Sequence, residues 1–201
     1  MVIVANPTLN KTAIVVAAYD RQYIDDCLKS LGEKYPVIVM DTSGGGHPTG
    51  AYIRFYRDYP EYDNFLFIQD SMRALVPDVV EPFAKLMPKR GAVAWCYFKQ
   101  GFDTAAQEDW AKSFYKGPYP GIGIFGPIFY TNRATLQELE KRNLLPPIPK
   151  NKAEAQTTER MWSWSLFEAG MKLSAVGGLW DNTRMAEGSY PVFKKIWGGR
   201  A

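Results

Sequence analysis

The chain has 201 residues, enough for one domain but with little room for a second. Hydrophobic residues make up 46% and charged residues 22%, and these proportions exclude a disordered or collagen-like chain. The net charge of +3 is too small to indicate a nucleic-acid-binding surface, although it would not oppose a polyanionic partner such as a nucleotide.

The cysteine and histidine counts exclude several kinds of site. Cys27 and Cys96 form no CxxC pair, and His47 is the only histidine. These counts exclude a disulfide scaffold and a cysteine-rich zinc site, and they disfavour a Ser/His/Asp triad or a two-histidine metal site. No apolar run approaches the roughly 20 residues of a membrane span, and residues 1–11 lack the pattern of a signal peptide. We therefore expect a soluble, cytoplasmic protein with no membrane partner.

The first part of the chain alternates between short apolar runs and amphipathic segments. Residues 12–18, 36–40 and 64–68 are predicted strands buried on both faces, and residues 20–33 and 50–57 are predicted helices. Strands that alternate with helices are typical of an α/β sandwich. We therefore predict a mostly parallel central sheet flanked by helices.

The middle of the chain predicts less regular structure. Residues 92–98 favour a fourth strand, and residues 112–128, rich in glycine, proline and aromatic residues, favour an irregular lid or pocket wall. Residues 135–142 predict a short helix, and a proline-rich loop follows at 145–152.

The last predicted helix covers residues 157–169 and ends at a glycine. Thr157 or Thr158 is its expected N-cap, which places Glu159 in the first turn, where the helix dipole favours an acid. The tail that follows, residues 192–201, carries Lys194, Lys195 and Arg200. It could meet phosphates, but we expect it to be solvated.

Two glycine-rich segments resemble nucleotide-binding motifs only in letters. Residues 121–126 spell GxGxxG, but neither a strand before them nor a helix after them is predicted, so a loop is favoured. The run of glycines at 44–46 lacks the GK[ST] of a P-loop, but it follows a strand, so a close approach of its backbone to a ligand and a simple turn are both open. His47 is predicted to lie in a surface loop.

Three predicted strands end beside a carboxylate, at Asp20, Asp41 and Asp70. One such residue is as often a helix cap or turn former as a ligand contact. Because α/β sheets bind ligands beyond the carboxyl ends of their strands, three together favour a site.

The order of several motifs is more specific than any one of them. Residues 15–31 read VVAAYDRQYIDDCLKSL, and residues 37–43 form a second strand ending at an aspartate turn. Arg54 lies upstream of Asp70, and the segment from Thr158 to Lys172 has an acid near its start and EAGMK at its end. Over most of residues 12–176 the chain resembles family 2 glycosyltransferases of the Rossmann-like GT-A fold.

The resemblance implies a role for each of these residues. Asp20 and Asp41 would contact the base and ribose of a nucleotide-sugar donor, and Arg54 would face its phosphates, although a solvated surface arginine is an equal alternative. Asp70 would approach the diphosphate through Mn²⁺ or Mg²⁺, hard cations that favour oxygen ligands. Glu159 would be the general base that deprotonates an acceptor hydroxyl in an inverting transfer.

The chain departs from the family pattern at three places. Met72 replaces the second carboxylate of the metal-binding DxD motif, and Thr158 replaces one member of an acidic pair. No histidine follows Glu159 to complete a metal shell. These departures leave the requirement for a metal open.

The resemblance also predicts the organisation of the chain and its partners. We expect one GT-A-like domain over residues 1–201, with a nucleotide-binding half at 12–98, an acceptor half at 99–185 and a basic tail at 186–201. The acceptor would be a hydroxyl on a glycan, a protein, a small molecule or modified DNA.

Aromatic residues in the second half are candidates for contacting the acceptor. The candidates are Trp162, Trp164, Trp180 and the aromatic residues of the segment 115–130. For Trp162, core packing is the favoured interpretation.

Two alternatives stay open beside an active transferase. One is a GT-A-like module that binds a nucleotide without turnover. The other is a structural or assembly protein with an incidental α/β fold.

Overall fold

The computed structural model describes residues 11–19, 21–42, 47–99, 101–179 and 191–196, and these contain six helices and ten strands. The helices are α1 Arg21–Leu31, α2 His47–Asp58, α3 Glu81–Leu86, α4 Ala105–Lys112, α5 Arg133–Lys141 and α6 Lys152–Glu168. The strands are β1 Thr12–Ala18, β2 Val37–Asp41, β3 Asn64–Gln69, β4 Met72–Ala74, β5 Gly91–Ala94, β6 Tyr97–Phe98, β7 Gly123–Ile124, β8 Phe129–Asn132, β9 Lys172–Ala175 and β10 Phe193–Lys195. Within these residues, no helix is both long enough and apolar enough to span a membrane.

Six strands form the central sheet in the order β2-β1-β3-β8-β5-β9. β1 pairs in parallel with β2 and β3, and β5 pairs in parallel with β9. Only β8 runs antiparallel to its neighbours in this sheet. The predicted α/β sandwich with a mostly parallel central sheet is therefore confirmed. β8 and β9 come from the predicted acceptor half, so the two predicted halves share one sheet.

Both faces of the sheet are buried, as the apolar run at 12–18 predicts. Ala13, Val15 and Ala17 face a core that includes residues of α2, α5 and α6. Ile14 and Val16 face a second core formed with α1 and α3. Consecutive residues of a strand point to opposite faces, so a strand covered on both sides needs a continuous apolar run.

The predicted strand at 92–98 was wrong in its length. The structure divides this segment into β5 in the central sheet and β6, which pairs with β7 in a separate two-stranded sheet. Between them the backbone N–H of Trp95 donates to the carbonyl of Ile128, and the Trp95 side chain is buried in the second core.

The predicted start of the last helix was also wrong. α6 begins at Lys152, and its N-cap is Asn151, whose side chain accepts the N–H of Glu154 at 2.9 Å. The hydroxyls of Thr157 and Thr158 donate instead to backbone carbonyls one turn earlier in the helix. Glu159 therefore lies about two turns inside α6 and not in its first turn.

The expectation of a solvated tail was wrong for its first residues. β10 pairs antiparallel with β4, and the buried ring of Phe193 packs against Phe83 and Trp95. Three residues named in the sequence analysis, Asp20, Trp180 and Arg200, lie outside the described residues.

The two other tryptophans named as acceptor candidates belong to the core. Trp162 and Trp164 are both almost completely buried. This confirms core packing as the interpretation of Trp162, and it leaves neither ring available as a surface for an acceptor.

Candidate functional site

A cavity of about 480 Å³ opens at the carboxyl ends of β1 and β3. The first helical residues of α2, one side of α6 and the end of β10 complete its wall. Its lining residues are Ala17, Tyr19, Tyr23, His47, Pro48, Gln69, Asp70, Ser71, Lys152, Gln156, Glu159, Lys195 and Ile196. The volume lies in the range of small-molecule binding sites.

Asp70 is held at the edge of the sheet by the end of β1. Its carboxylate accepts the backbone N–H of Tyr19 at 2.7 Å, and its own N–H donates to the carbonyl of Ala17. The residue is 6% exposed and lines the cavity. Parallel pairing of β1 with β3 therefore fixes this carboxylate where the sheet predicts a ligand site.

Glu159 lines the same cavity from α6. Lys152, Gln156 and Glu159 follow the helical spacing of one face, and all three line the cavity. Burial raises the pKa of Glu159 to about 7, although the positive charge of Lys195 and the N–H of Gly126 both favour the ionised form. At this value the carboxyl group exchanges its proton near neutral pH.

The position of α6 is fixed by a buried hydrogen-bond network with α2. The hydroxyl of Thr49 donates to the Oγ1 of Thr158 at 2.9 Å. The indole Nε1 of Trp162 donates to the same Thr49 oxygen at 3.1 Å. Thr158, which stands where the resembled family has an acid, therefore joins the two helices next to Glu159.

Lys195 enters the cavity from β10. Its Nζ donates to the side-chain oxygen of Gln69 at 3.1 Å and lies 5.1 Å from the centre of the Phe125 ring. Burial lowers the pKa of Lys195, and the charges of Glu159 and Asp70 act in the opposite direction. One ammonium group thus interacts with both carboxylates of the site.

Aromatic rings flank the mouth of the cavity. Tyr19 is 57% exposed, and its ring is nearly parallel to that of His47, with 6.3 Å between the ring centres. Tyr23 also lines the cavity. Flat exposed rings of this kind suit stacking with a planar ligand.

The structure places two of the predicted site residues in the cavity and two others outside it. Asp70 and Glu159 face the same cavity. Asp41 is exposed at the end of β2, where its backbone carbonyl accepts a hydrogen bond from Arg54 at 3.0 Å. Neither Asp41 nor Arg54 is among the lining residues of the cavity.

Sequence reasoning missed several contributors to the site, among them Gln69, Gly126 and Lys152, and it expected Lys195 to be solvated. Gly126 is the last glycine of the rejected GxGxxG segment, with a positive φ of 60° that favours glycine. A side chain there would begin 3.3 Å from the Gln69 side-chain oxygen. The positive charge of the tail was a usable signal for Lys195, but nothing in the local pattern placed it inside.

The described residues do not fit a metal held by several protein ligands. Within them, no group of three histidine, cysteine, aspartate or glutamate side chains is placed to hold an ion. Met72, at the position of the second DxD carboxylate, has 0% exposure and packs in the second core. The ammonium of Lys195 interacts with the carboxylates that remain.

No protein-family model and no curated protein sequence matches the chain. Among solved structures, the chain is similar to the catalytic domain of Drosophila β1,4-galactosyltransferase 7 in complex with xylobiose. That alignment covers 93% of this chain and 71% of that one, at 11% identity and a TM-score of 0.47. A mutant of the same protein in complex with manganese, UDP-Gal and xylobiose aligns over 92% and 71%, at 11% identity and a TM-score of 0.46. Similarity at this level assigns no activity to the chain.

Proposed function

We propose that the chain is a GT-A glycosyltransferase that moves a sugar from a nucleoside-diphosphate sugar to a hydroxyl acceptor, with inversion at the anomeric carbon. The observation that carries the proposal is the placement of Asp70 and Glu159 across one cavity at the carboxyl edge of the sheet. The motif order around residues 15–31 and 158–172 supports it independently.

Glu159 has the properties that a general base needs in this reaction. Its carboxylate accepts the proton of the acceptor hydroxyl as that oxygen attacks the anomeric carbon. The bond from this carbon to the donor diphosphate breaks, and its electron pair leaves with the nucleoside diphosphate. A base with a pKa near 7 is well matched to proton transfer at neutral pH.

The other walls of the cavity suit the donor. Tyr19 and Tyr23 offer flat rings to a nucleobase, and Lys152 and Lys195 offer positive charge to phosphates. Asp20, Asp41 and Arg54 remain predictions for the nucleotide-binding surface. Since the described residues do not supply a metal shell, we assign no step to Mn²⁺ or Mg²⁺.

A binding module without turnover is the second candidate. Two positions that are acidic in the resembled family serve packing here, because Met72 is in the core and Thr158 joins α2 to α6. Such a module would keep the donor site and leave Glu159 without a catalytic role.

The test compares a Glu159→Gln variant with the parent protein. We first identify the nucleotide by the rise in melting temperature with UDP, GDP, CMP and dTDP and with their sugars. We then measure sugar transfer to water and to hydroxyl acceptors. Loss of one proton-transfer group should slow turnover by roughly 10²–10⁴-fold, while binding of the donor stays within a few-fold.

Glu61→Gln, an exposed site between α2 and β3, is the matched control and should behave like the parent. If Glu159→Gln turns over as fast as the parent, the assignment of the base is wrong. If a nucleotide binds and no transfer occurs in either protein, the chain is a nucleotide-binding module without turnover.

A further inference from the structure

The two lysines of β10 face different surroundings. Lys194 is exposed, and the next residue, Lys195, lines the cavity. This alternation follows from the antiparallel pairing with β4, where Lys194 pairs with Arg73 and Lys195 with Met72. The hydrogen bond from the N–H of Ile196 to the carbonyl of Ser71, 2.8 Å long, continues the pairing beyond the strand.

The Lys195 ammonium is positioned by its neighbours and is not a loosely held surface charge. Its hydrogen bond to Gln69 places it beside the last residue of β3, next to Asp70. The face of the Phe125 ring lies on another side of it. These two contacts come from β3 and from the loop between β7 and β8.

A positive charge at this place offsets the negative charge of the carboxylates that line the cavity, as a metal ion would. Lys195 balances the negative charges of Asp70 and Glu159, which would otherwise repel a diphosphate. A divalent cation placed between the same carboxylates would be repelled by the ammonium. Lys152, exposed in the first turn of α6, lines the same cavity and adds a second cation.

We propose that Lys195 binds the diphosphate of the ligand directly and that this cavity binds diphosphates without a divalent cation. The proposal deepens the proposed function, because the diphosphate is that of the sugar donor. In the transfer reaction the ammonium would donate a hydrogen bond to the departing nucleoside diphosphate, and charge-assisted bonds of this kind are the stronger ones.

Inorganic pyrophosphate is the probe, since it presents the diphosphate group of the donor without its base or sugar. Calorimetry of the parent chain in excess EDTA should show binding, and replacing EDTA by Mn²⁺ should change the dissociation constant by less than about threefold. Lys195→Met keeps an unbranched side chain only one atom shorter and removes its charge. It should weaken binding by at least about tenfold, and Lys195→Arg should restore most of the loss.

Lys194→Met is the matched control, one residue away on the exposed side of the same strand, and it should bind pyrophosphate like the parent. The proposal is overturned if the parent binds only in the presence of Mn²⁺, or if Lys195→Met binds as tightly as the parent. The EDTA comparison uses the parent protein, so it holds even if a variant folds poorly.

The outcomes separate this proposal from the proposed function. Metal-independent pyrophosphate binding that needs Lys195, with no sugar transfer from any donor, would keep the proposal and remove the transferase activity. Sugar transfer that stops in EDTA would keep the transferase and remove the proposal. A chain that binds neither pyrophosphate nor any nucleoside diphosphate, with or without Mn²⁺, would overturn both.

Discussion

The Glu159 carboxyl group combines burial with a charged neighbour, and burial has the larger effect. Its pKa of about 7 means that the folded protein resists ionising this group, even with Lys195 and the Gly126 N–H nearby. An acid whose pKa is raised in this way lowers the stability of the fold at neutral pH.

The raised pKa predicts a pH-dependent effect of Glu159→Gln on stability. The unfolded chain releases the Glu159 proton near its ordinary value of 4.5, and the folded chain keeps it up to about 7. Between these values the unfolded state binds fewer protons, so this group's contribution to stability falls as the pH rises and stays at its low value above about 7. The variant should gain in melting temperature relative to the parent at about pH 8, with a smaller difference at about pH 5.

Differential scanning calorimetry at the two pH values measures this change. All other titrating groups are common to both proteins, so their effects cancel in the comparison to first order. Glu61→Gln should show the same small difference at both pH values. An equal difference at both pH values for Glu159→Gln would contradict the raised pKa.

Individual site residues were predictable only where a local pattern marked them. Asp70 follows an apolar strand and Glu159 precedes the EAGMK segment, so both could be found in the sequence. The positive charge of the tail was a signal for Lys195, but its place in the cavity was not predictable, because it depends on Phe193 packing against Phe83 and Trp95, which are far away in the chain.

At the scale of elements, α6 decides the geometry of the site. Its start at Lys152, after the N-cap Asn151, places Lys152, Gln156 and Glu159 on the cavity side, while Thr158 faces α2. The capping pair of Asn151 and Glu154 was a usable signal for this start. The polar residues between Asn151 and Thr157 lack the apolar periodicity on which the prediction of 157–169 relied.

The contact between α2 and α6 predicts that Thr158→Asp, which restores the acidic pair of the resembled family, destabilises the protein. Thr158 is 1% exposed, and its hydroxyl bonds Thr49 and the carbonyl of Ala155. A carboxylate there would lose solvation and meet a carbonyl oxygen. We expect a loss of at least about 2 kcal/mol in the free energy of unfolding, with no gain in turnover.

Urea unfolding, paired with the transfer assay, measures both parts of this prediction. Thr158→Ser keeps the hydroxyl and removes only a methyl group, so its loss should be no more than about 1 kcal/mol. An aspartate variant that is as stable as the parent and faster in transfer would contradict the prediction, because it would show that Thr158 has no structural role that an acid cannot fill.

The strands illustrate which elements a sequence predicts well. β1 and β3 are apolar runs buried on both faces, and their predicted positions at 12–18 and 64–68 agree with the structure to within one residue. β10 has only three residues and pairs with a strand more than half the chain away. Three residues are too few to show an alternation of apolar and polar side chains, so β10 is defined by its pairing with β4 and not by its own sequence pattern.

For the molecule as a whole, the cavity lies between the six-stranded central sheet and a two-stranded sheet, and the smaller sheet has fewer strand pairs to hold it in place. The central sheet holds β1 between two long parallel partners, while β10 belongs to a separate two-stranded sheet with β4. We predict that the amides of residues 193–195 exchange with solvent faster than those of residues 12–18 in the free protein. Pyrophosphate should slow exchange in the first segment more than in the second, because its proposed contact is Lys195.

Hydrogen exchange followed by mass spectrometry compares the two segments in one sample. Lys195→Met should abolish the effect of pyrophosphate on residues 193–195 and leave exchange in β1 as it is in the parent. Equal protection of the two segments in the free protein would contradict this unequal support.

The hydrogen bond between Lys195 and Gln69 joins residues that are 126 positions apart. On the ribosome, β1, β2 and β3 are all synthesised long before Lys195, so their local pairing can precede completion of the cavity. Closing so long a loop carries an entropic cost that a bound anion would help to offset. A nascent chain halted before Lys195 would thus lack the anion site, and retention on a pyrophosphate resin would report that synthesis and docking of β10 are finished.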